Sequence, residues 1–163
     1  MKKQEIKDKI AELEKQICKL QKELEDCGDI WKPKEDEKYY FNYGDGETDF
    51  YTNDFDDKDA HLMGVGNCYP TRKKAQFEAN REKYTRLFRQ YVEQHSEPLN
   101  WGNEEQYKCY MFYDYENKKI RYSVSYTYKA SFIIYASSEQ VLKEAIDFVG
   151  EDNVKKYILE IGE

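Results

Sequence analysis

Residues 107–128 read YKCYMFYDY, then ENKK, then IRYSVSYTY, and this stretch decides the fold class. Two aromatic-rich runs, each long enough for a strand, flank four polar residues suited to a turn. In the second run Ile120, Tyr122, Val124, Tyr126 and Tyr128 fall on one side, and Arg121, Ser123, Ser125, Thr127 and Lys129 on the other. Alternation with a period of two marks a half-buried strand, one face toward a core and one toward water. An antiparallel hairpin follows, and SFIIYA (131–136) supplies a further strand.

Downstream, Ser137 with Gln140 three residues on reads as a capping box. Val141, Leu142, Ala145, Ile146 and Val149 then form the apolar stripe of a helix that Gly150 ends, and 152–161 reads as a last short helix. Upstream, Thr71 is the candidate N-cap of a long helix over 72–94. Ala75, Phe77, Tyr84, Leu87, Phe88, Tyr91 and Val92 form its apolar side. KYYFNY (38–43) and TDFYTN (48–53) read as two short strands joined by a Gly44-Asp45-Gly46 turn, and 55–67 reads as loop. Residues 29–163 are thus expected to form an α+β domain, a mainly antiparallel sheet packed by helices on one face.

The N-terminus has a different period. Ile6, Ile10, Leu13, Ile17, Leu20, Leu24 and Cys27 recur at alternating spacings of four and three, a heptad seam. Mostly β-branched residues at a and mostly Leu at d favour a parallel two-stranded coil, with Lys9 at g facing Glu14 at the partner's e. Residues 1–28 are therefore expected to be a dimerisation helix, closed by Gly28. A single amphipathic helix folded onto its own domain is the competing reading, for which the stripe is narrow.

The chain has 163 residues, 36% charged and 39% hydrophobic, with 16 Tyr. Tyr buries a large ring while keeping a polar tip, so the mean hydropathy of −1.04 is compatible with a folded core. No apolar run is long enough to span a membrane, and the charged N-terminus lacks the apolar segment of a secretory signal. Cys18, Cys27, Cys68 and Cys109 show no metal or redox spacing, which points to free thiols and a cytoplasmic setting.

The net charge of −7 is unevenly placed, because residues 29–59 hold four Lys against eleven Asp/Glu. Within them, YGDGETDFYTNDFDDKDA (43–60) interleaves carboxylates with aromatics. An EF-hand counted from Asp54 fails, since position 6 is Asp59 and position 12 is Val65. No metal or cofactor is assigned. His61 and His95 lack a nucleophile context, and no P-loop or G-x-S-x-G is present, so no catalytic residue is assigned.

Two binding readings remain. Asp45, Glu47, Asp49, Asp54, Asp56 and Asp57, with Tyr51 and Phe55 as anchors, could occupy a basic groove of a partner protein evolved for phosphates. The bland alternative for this stretch is a hydrated loop. Alternatively, the helix bearing Arg72, Lys73 and Arg81, with the hairpin tyrosines Tyr122 and Tyr126, could hold a nucleotide or nucleic acid by charge and stacking.

Taken together, Trp31, Pro33, Tyr39, Tyr40, Gly66, Asn67, Thr71, Ala75, Ser138, Glu139, Ala145, Ile146 and Gly150 give a layout that resembles small accessory proteins of bacteriophages and Firmicutes prophages. The T-R-K-K-A helix start and the Asp-rich insert at 54–59 depart from that pattern. The resemblance implies a context, a bacterial host whose machinery small phage proteins often take over or neutralise, and carries no mechanism. Joined to the acidic-aromatic stretch, it leads to the expectation of a non-enzymatic, cytoplasmic protein that binds and blocks a host protein such as a nucleic-acid-handling defence effector. Inhibitors of the anti-CRISPR kind belong to this class.

Overall fold

The computed structural model describes residues 9–10, 12–13, 15–17 and 30–161. In chain order the elements are β1 (Lys38–Asn42), β2 (Thr48–Thr52), α1 (Asp57–Gly64), α2 (Arg72–His95), β3 (Lys108–Asp114), β4 (Lys119–Ser125), β5 (Tyr135–Ala136), α3 (Glu139–Val149) and α4 (Glu151–Asn153). A π-helical turn (Val154–Ile158) follows α4 directly. The fold is α+β with small antiparallel sheets, as the sequence leads one to expect.

The strands form two sheets, however, where one was expected. β1 and β2 pair by themselves, with Tyr39 opposite Tyr51 and Phe41 opposite Asp49. The other sheet runs β4-β3-β5, with Met111 opposite Tyr122 and Cys109 opposite Ala136. The separation follows from α2, whose 24 residues span roughly 36 Å and carry the chain from one hairpin to the other.

Each sheet has its own core. The larger one joins Phe88 and Val92 of α2, Cys109 and Met111 of β3, and Val141, Leu142, Ala145, Ile146 and Val149 of α3. The smaller one is Tyr39, Phe41 and Leu62, bordered by Trp31, Tyr51 and Cys68. Between them α2 presents two fully buried alanines, Ala75 and Ala79, on the half that meets β1 and β2. Small residues at this spacing let backbone approach a helix closely.

Several element boundaries differ from expectation. Residues 57–64 are helical, because Asp56 caps a turn whose acidic first residues, Asp57 and Asp59, suit the positive helix end. Only Tyr135 and Ala136 of 131–136 are paired strand; Ser131 and Phe132 form a turn that leaves Phe132 88% exposed. β4 is an edge strand and α3 packs over β3 and β5, so Ile120 and Tyr122 reach the core while Val124, Tyr126 and Tyr128 remain exposed. The cap of α3 is Ser138, not Ser137: Ser138 Oγ accepts from the Val141 amide at 3.3 Å. Ser137 instead ties the loop after α2, accepting from the Glu97 amide. The expected cap of the long helix is found, with Thr71 accepting from the Lys74 amide at 3.2 Å. The expected last helix is shorter, its middle wound as the π turn whose Val154 is fully buried.

Most of the heptad segment, including Ile6, Leu20 and Leu24, lies outside the described residues. Those described within it are helical, with Ile10 50%, Leu13 49% and Ile17 54% exposed. Among the described residues, no helix is long and apolar enough to cross a membrane.

The placement of the α3 cap gives a direct test. Ser138→Ala is expected to lose about 1 kcal/mol in urea denaturation. Ser137→Ala, which removes a solvent-exposed bond, is expected to lose clearly less.

Candidate functional site

The acidic stretch is built on the β1–β2 hairpin and the turn into α1. Tyr39, Phe41 and Tyr51 share one face of the hairpin because opposed residues of an antiparallel pair point the same way. The Phe41 and Tyr51 rings stack at 4.7 Å, and Tyr39 meets Tyr51 edge-on at 6.3 Å. Lys58 Nζ lies 3.6 Å from the centre of the Tyr51 ring. Tyr51, an expected anchor, therefore has its ring engaged within the chain.

Asn53 holds the strand end. It is fully buried, donating through Nδ2 to the Pro33 and Lys34 carbonyls at 2.9 and 3.1 Å. Its Oδ1 accepts from the Phe55 amide at 3.2 Å. Phe55 sits at φ 60° and is 63% exposed. An aromatic residue in the left-handed region costs free energy, and here it presents its ring outward.

The carboxylates that follow are structural as well as charged. Asp54 Oδ1 accepts from the Asp56 amide, Asp56 Oδ1 from the Asp59 amide at 2.7 Å, and Asp59 Oδ2 from the Asp54 amide at 2.9 Å. Asp59 is buried, and its Oδ1 accepts from the Tyr39 hydroxyl at 2.5 Å. Burial alone would raise the Asp59 carboxyl, but the bonds from Tyr39 and from Asp54 and Asp56 hold it below the ordinary aspartate value. Burial, and then the bond to Asp59, push the Tyr39 phenol well above its usual value. The hydrated loop expected here is thus a hydrogen-bonded clasp between α1 and β1.

Asp54, Asp56 and Asp59 each place a carboxylate oxygen within 4.8 Å of the others. Calcium takes six to eight oxygens. Four of the six carboxylate oxygens here already accept bonds from the chain, and the trio is explained as cap and clasp.

At the other end of the hairpin, Tyr43 is 58% exposed and donates to Asp49 Oδ2 at 3.4 Å. Burial of part of the ring, and then the charges of Asp49, Asp45 and Glu47, raise its phenol. Asp45 Oδ1 accepts from the Glu47 amide at 2.9 Å, shaping the turn. Gly46, at φ 102°, packs on α2 so closely that a Cβ there would lie 3.1 Å from Lys83 Cδ. Gln76 Nε2 donates to the Gly46 carbonyl. The basic helix therefore meets the tip of the acidic hairpin within one chain.

The alternative set is not brought together. Arg72 and Lys73 are exposed in the first turn of α2, while Arg81 is bridged to Glu78 at 2.6 Å and to Glu160 at 2.9 Å. Lys73 and Arg81 border a cleft with Phe77, whereas Tyr122 lines a different one beside Lys143 and Asp147. Tyr126 packs on Tyr107 at 5.7 Å. Tyr122 of β4 lies beside α3, its ring centre 5.5 Å from the Lys143 ammonium, apart from the cleft that Lys73 and Arg81 border.

The chain matches no protein-family model, no curated protein and no solved structure with which it was compared.

The clasp predicts a definite response to pH. The lowered Asp59 value stabilises the fold above the unfolded aspartate pKa, about 3.9, and that contribution is lost as pH falls through and below it. The raised Tyr39 value stabilises below the unfolded phenol pKa, about 10, and is lost as pH rises beyond it. Tyr39→Phe is expected to cost about 1.5–3 kcal/mol at pH 7, as a buried carboxylate loses a hydroxyl donor. Urea midpoints at pH 3, 7 and 10.5 check both: the wild type falls at each extreme, and the variant loses the part of the alkaline fall due to Tyr39.

Proposed function

We propose that this chain is a binding protein that inhibits a host protein by occupation. The partner best suited is a nucleic-acid-handling defence effector of a bacterial host, bound in the manner of anti-CRISPR-like phage inhibitors. The observation that carries this reading is the exposed Tyr43, bonded to Asp49 and next to the Asp45 and Glu47 turn, on a hairpin anchored to α2. An amphipathic ring among fixed carboxylates suits a basic surface that otherwise holds phosphates and bases.

The second contact runs from Phe50 in β2 to the residues past the far end of that strand. Phe50 is 49% exposed, and Phe55 is held outward in a costly conformation beside Asp54, Asp56 and Asp57. Strained, exposed residues are where a fold accepts a cost for a purpose. Asp54 and Asp56 add charge here while they accept backbone amides, and Asp57 adds charge without accepting a hydrogen bond among the described residues. Charge of one sign along such an edge speeds association with an oppositely charged groove.

The heptad residues complete the proposal. Ile10, Leu13 and Ile17 are an apolar stripe about half exposed on a helix, and a second copy of this chain covers such a stripe by coiled-coil pairing. Two copies then present two acidic edges.

The test separates charge from fold. Glu47→Lys with Asp57→Lys reverses two exposed charges that hold no cap. Wild-type protein as bait in a Firmicute lysate is expected to retain one nucleic-acid-handling protein at stoichiometric yield, displaced by added DNA. The double variant is expected to retain it at least about tenfold less well. Capture that ignores added DNA and survives the charge reversal would sink the proposal. Separately, Leu13→Lys is expected to convert a dimer to a monomer in sedimentation equilibrium.

A further inference from the structure

A cleft between α2, the loop after it and the loop before β5 has no part in the acidic edge. Its volume is about 260 Å³. That is just below the roughly 300–1,000 Å³ of sites for drug-sized ligands, so it suits a molecule of one ring with one attached group. Leu99, Ile133 and Ile134 give it apolar walls, and Trp101 and Tyr135, packed edge-to-face at 5.0 Å, give it an aromatic one.

The charges around it do not balance. Arg89 and Lys129 line the cleft and Glu93 is the carboxylate on its wall. Among the described residues neither cation has a carboxylate within 4.0 Å. Lys129 Nζ lies 5.4 Å from the Trp101 ring centre. Lys108 Nζ lies 5.6 Å from the same ring, and Lys108 is fully buried. Its ammonium donates to the Asn103 and Tyr126 carbonyls, the latter at 2.8 Å, and to no carboxylate among the described residues.

A buried ammonium without a counter-charge is costly, and its field reaches further in a protein interior than in water. Two cations against one carboxylate line the cleft, and Lys108 behind its indole adds a third positive charge nearby, so the lining is apolar in its walls and carries a net positive charge. Ser131 adds a hydroxyl at the lining.

We propose that this cleft binds a small organic anion, one flat ring bearing a carboxylate or a phosphate monoester. The ring lies against the Trp101–Tyr135 wall, and Arg89 and Lys129 take the anionic group by charge-assisted hydrogen bonds. Arg89 and Lys129 are exposed, so both are open to an entering ligand.

The chain has two tryptophans, so two indole N–H signals report on the site in a ¹H–¹⁵N spectrum, and Trp31→Phe assigns them. The full chain is titrated with phenylacetate, phenyl phosphate and the neutral benzyl alcohol. At least one anion is expected to move the Trp101 signal saturably, while benzyl alcohol leaves it in place. Arg89→Met and Lys129→Met are each expected to weaken that anion about tenfold, as loss of one charged donor does. Tighter binding of phenylacetate assigns the natural ligand to the carboxylates, and tighter binding of phenyl phosphate to the phosphate esters. The proposal is overturned if neither anion saturates the Trp101 signal, if the alcohol binds as well, or if both Met variants bind like wild type.

Discussion

The close approach of two separate sheets to one helix is the constraint on which the structure depends. α2 meets β1 and β2 along one part of its length and β5 and α3 along another. A large side chain at Ala75 or Ala79 would push the first hairpin away, and loss of Phe88 or Val92 would empty the second core. The helix also fixes orientation. Its side chains Gln76 and Lys83 receive the Gly46 turn, so the acidic hairpin is held against a rigid rod. The tyrosine of the π turn joins the same rod, with Tyr157 stacked on Tyr84 at 5.3 Å.

Much of this was legible in the sequence, because the strongest local patterns carry their own physics. The 107–128 hairpin, the Thr71 cap and the Gly150 stop each rest on residues whose conformational preferences act within a few positions. What the sequence hid lies in longer-range terms. Helix α1 contains a single well-buried apolar residue, Leu62, so no apolar period announces it. Its start depends on Asp56 and on a bond to Tyr39, 20 positions away. The choice between Ser137 and Ser138 as cap turned on which hydroxyl the loop after α2 would claim.

The candidate site divides in the same way. Its charge was plain from composition, and exposure agrees for Asp45, Glu47, Asp49, Asp54, Asp56 and Asp57. Which carboxylates serve the fold was not plain, since Asp59 differs from Asp57 only by where the backbone carries it. Tyr51 and Phe55 look alike as sequence, yet pairing turns Tyr51 toward Phe41 and Asn53 turns Phe55 outward. The cleft at Trp101 left no local signal at all. Arg89, Trp101 and Lys129 come from one helix and two loops, and Lys108 reads as an ordinary strand lysine until its burial is seen.

The unequal size of the two cores has a bearing on how the chain changes over time. The first hairpin rests on a cluster of three buried apolar residues, the two buried alanines of α2 and a hydrogen-bonded clasp, the second sheet on a cluster of eleven buried residues. Partial opening follows the smaller reserve of buried surface, so the hairpin is expected to open at a lower free-energy cost than the larger core. The outward residues of the hairpin carry little of the buried surface, so they can be substituted at small cost to the folded body beneath them.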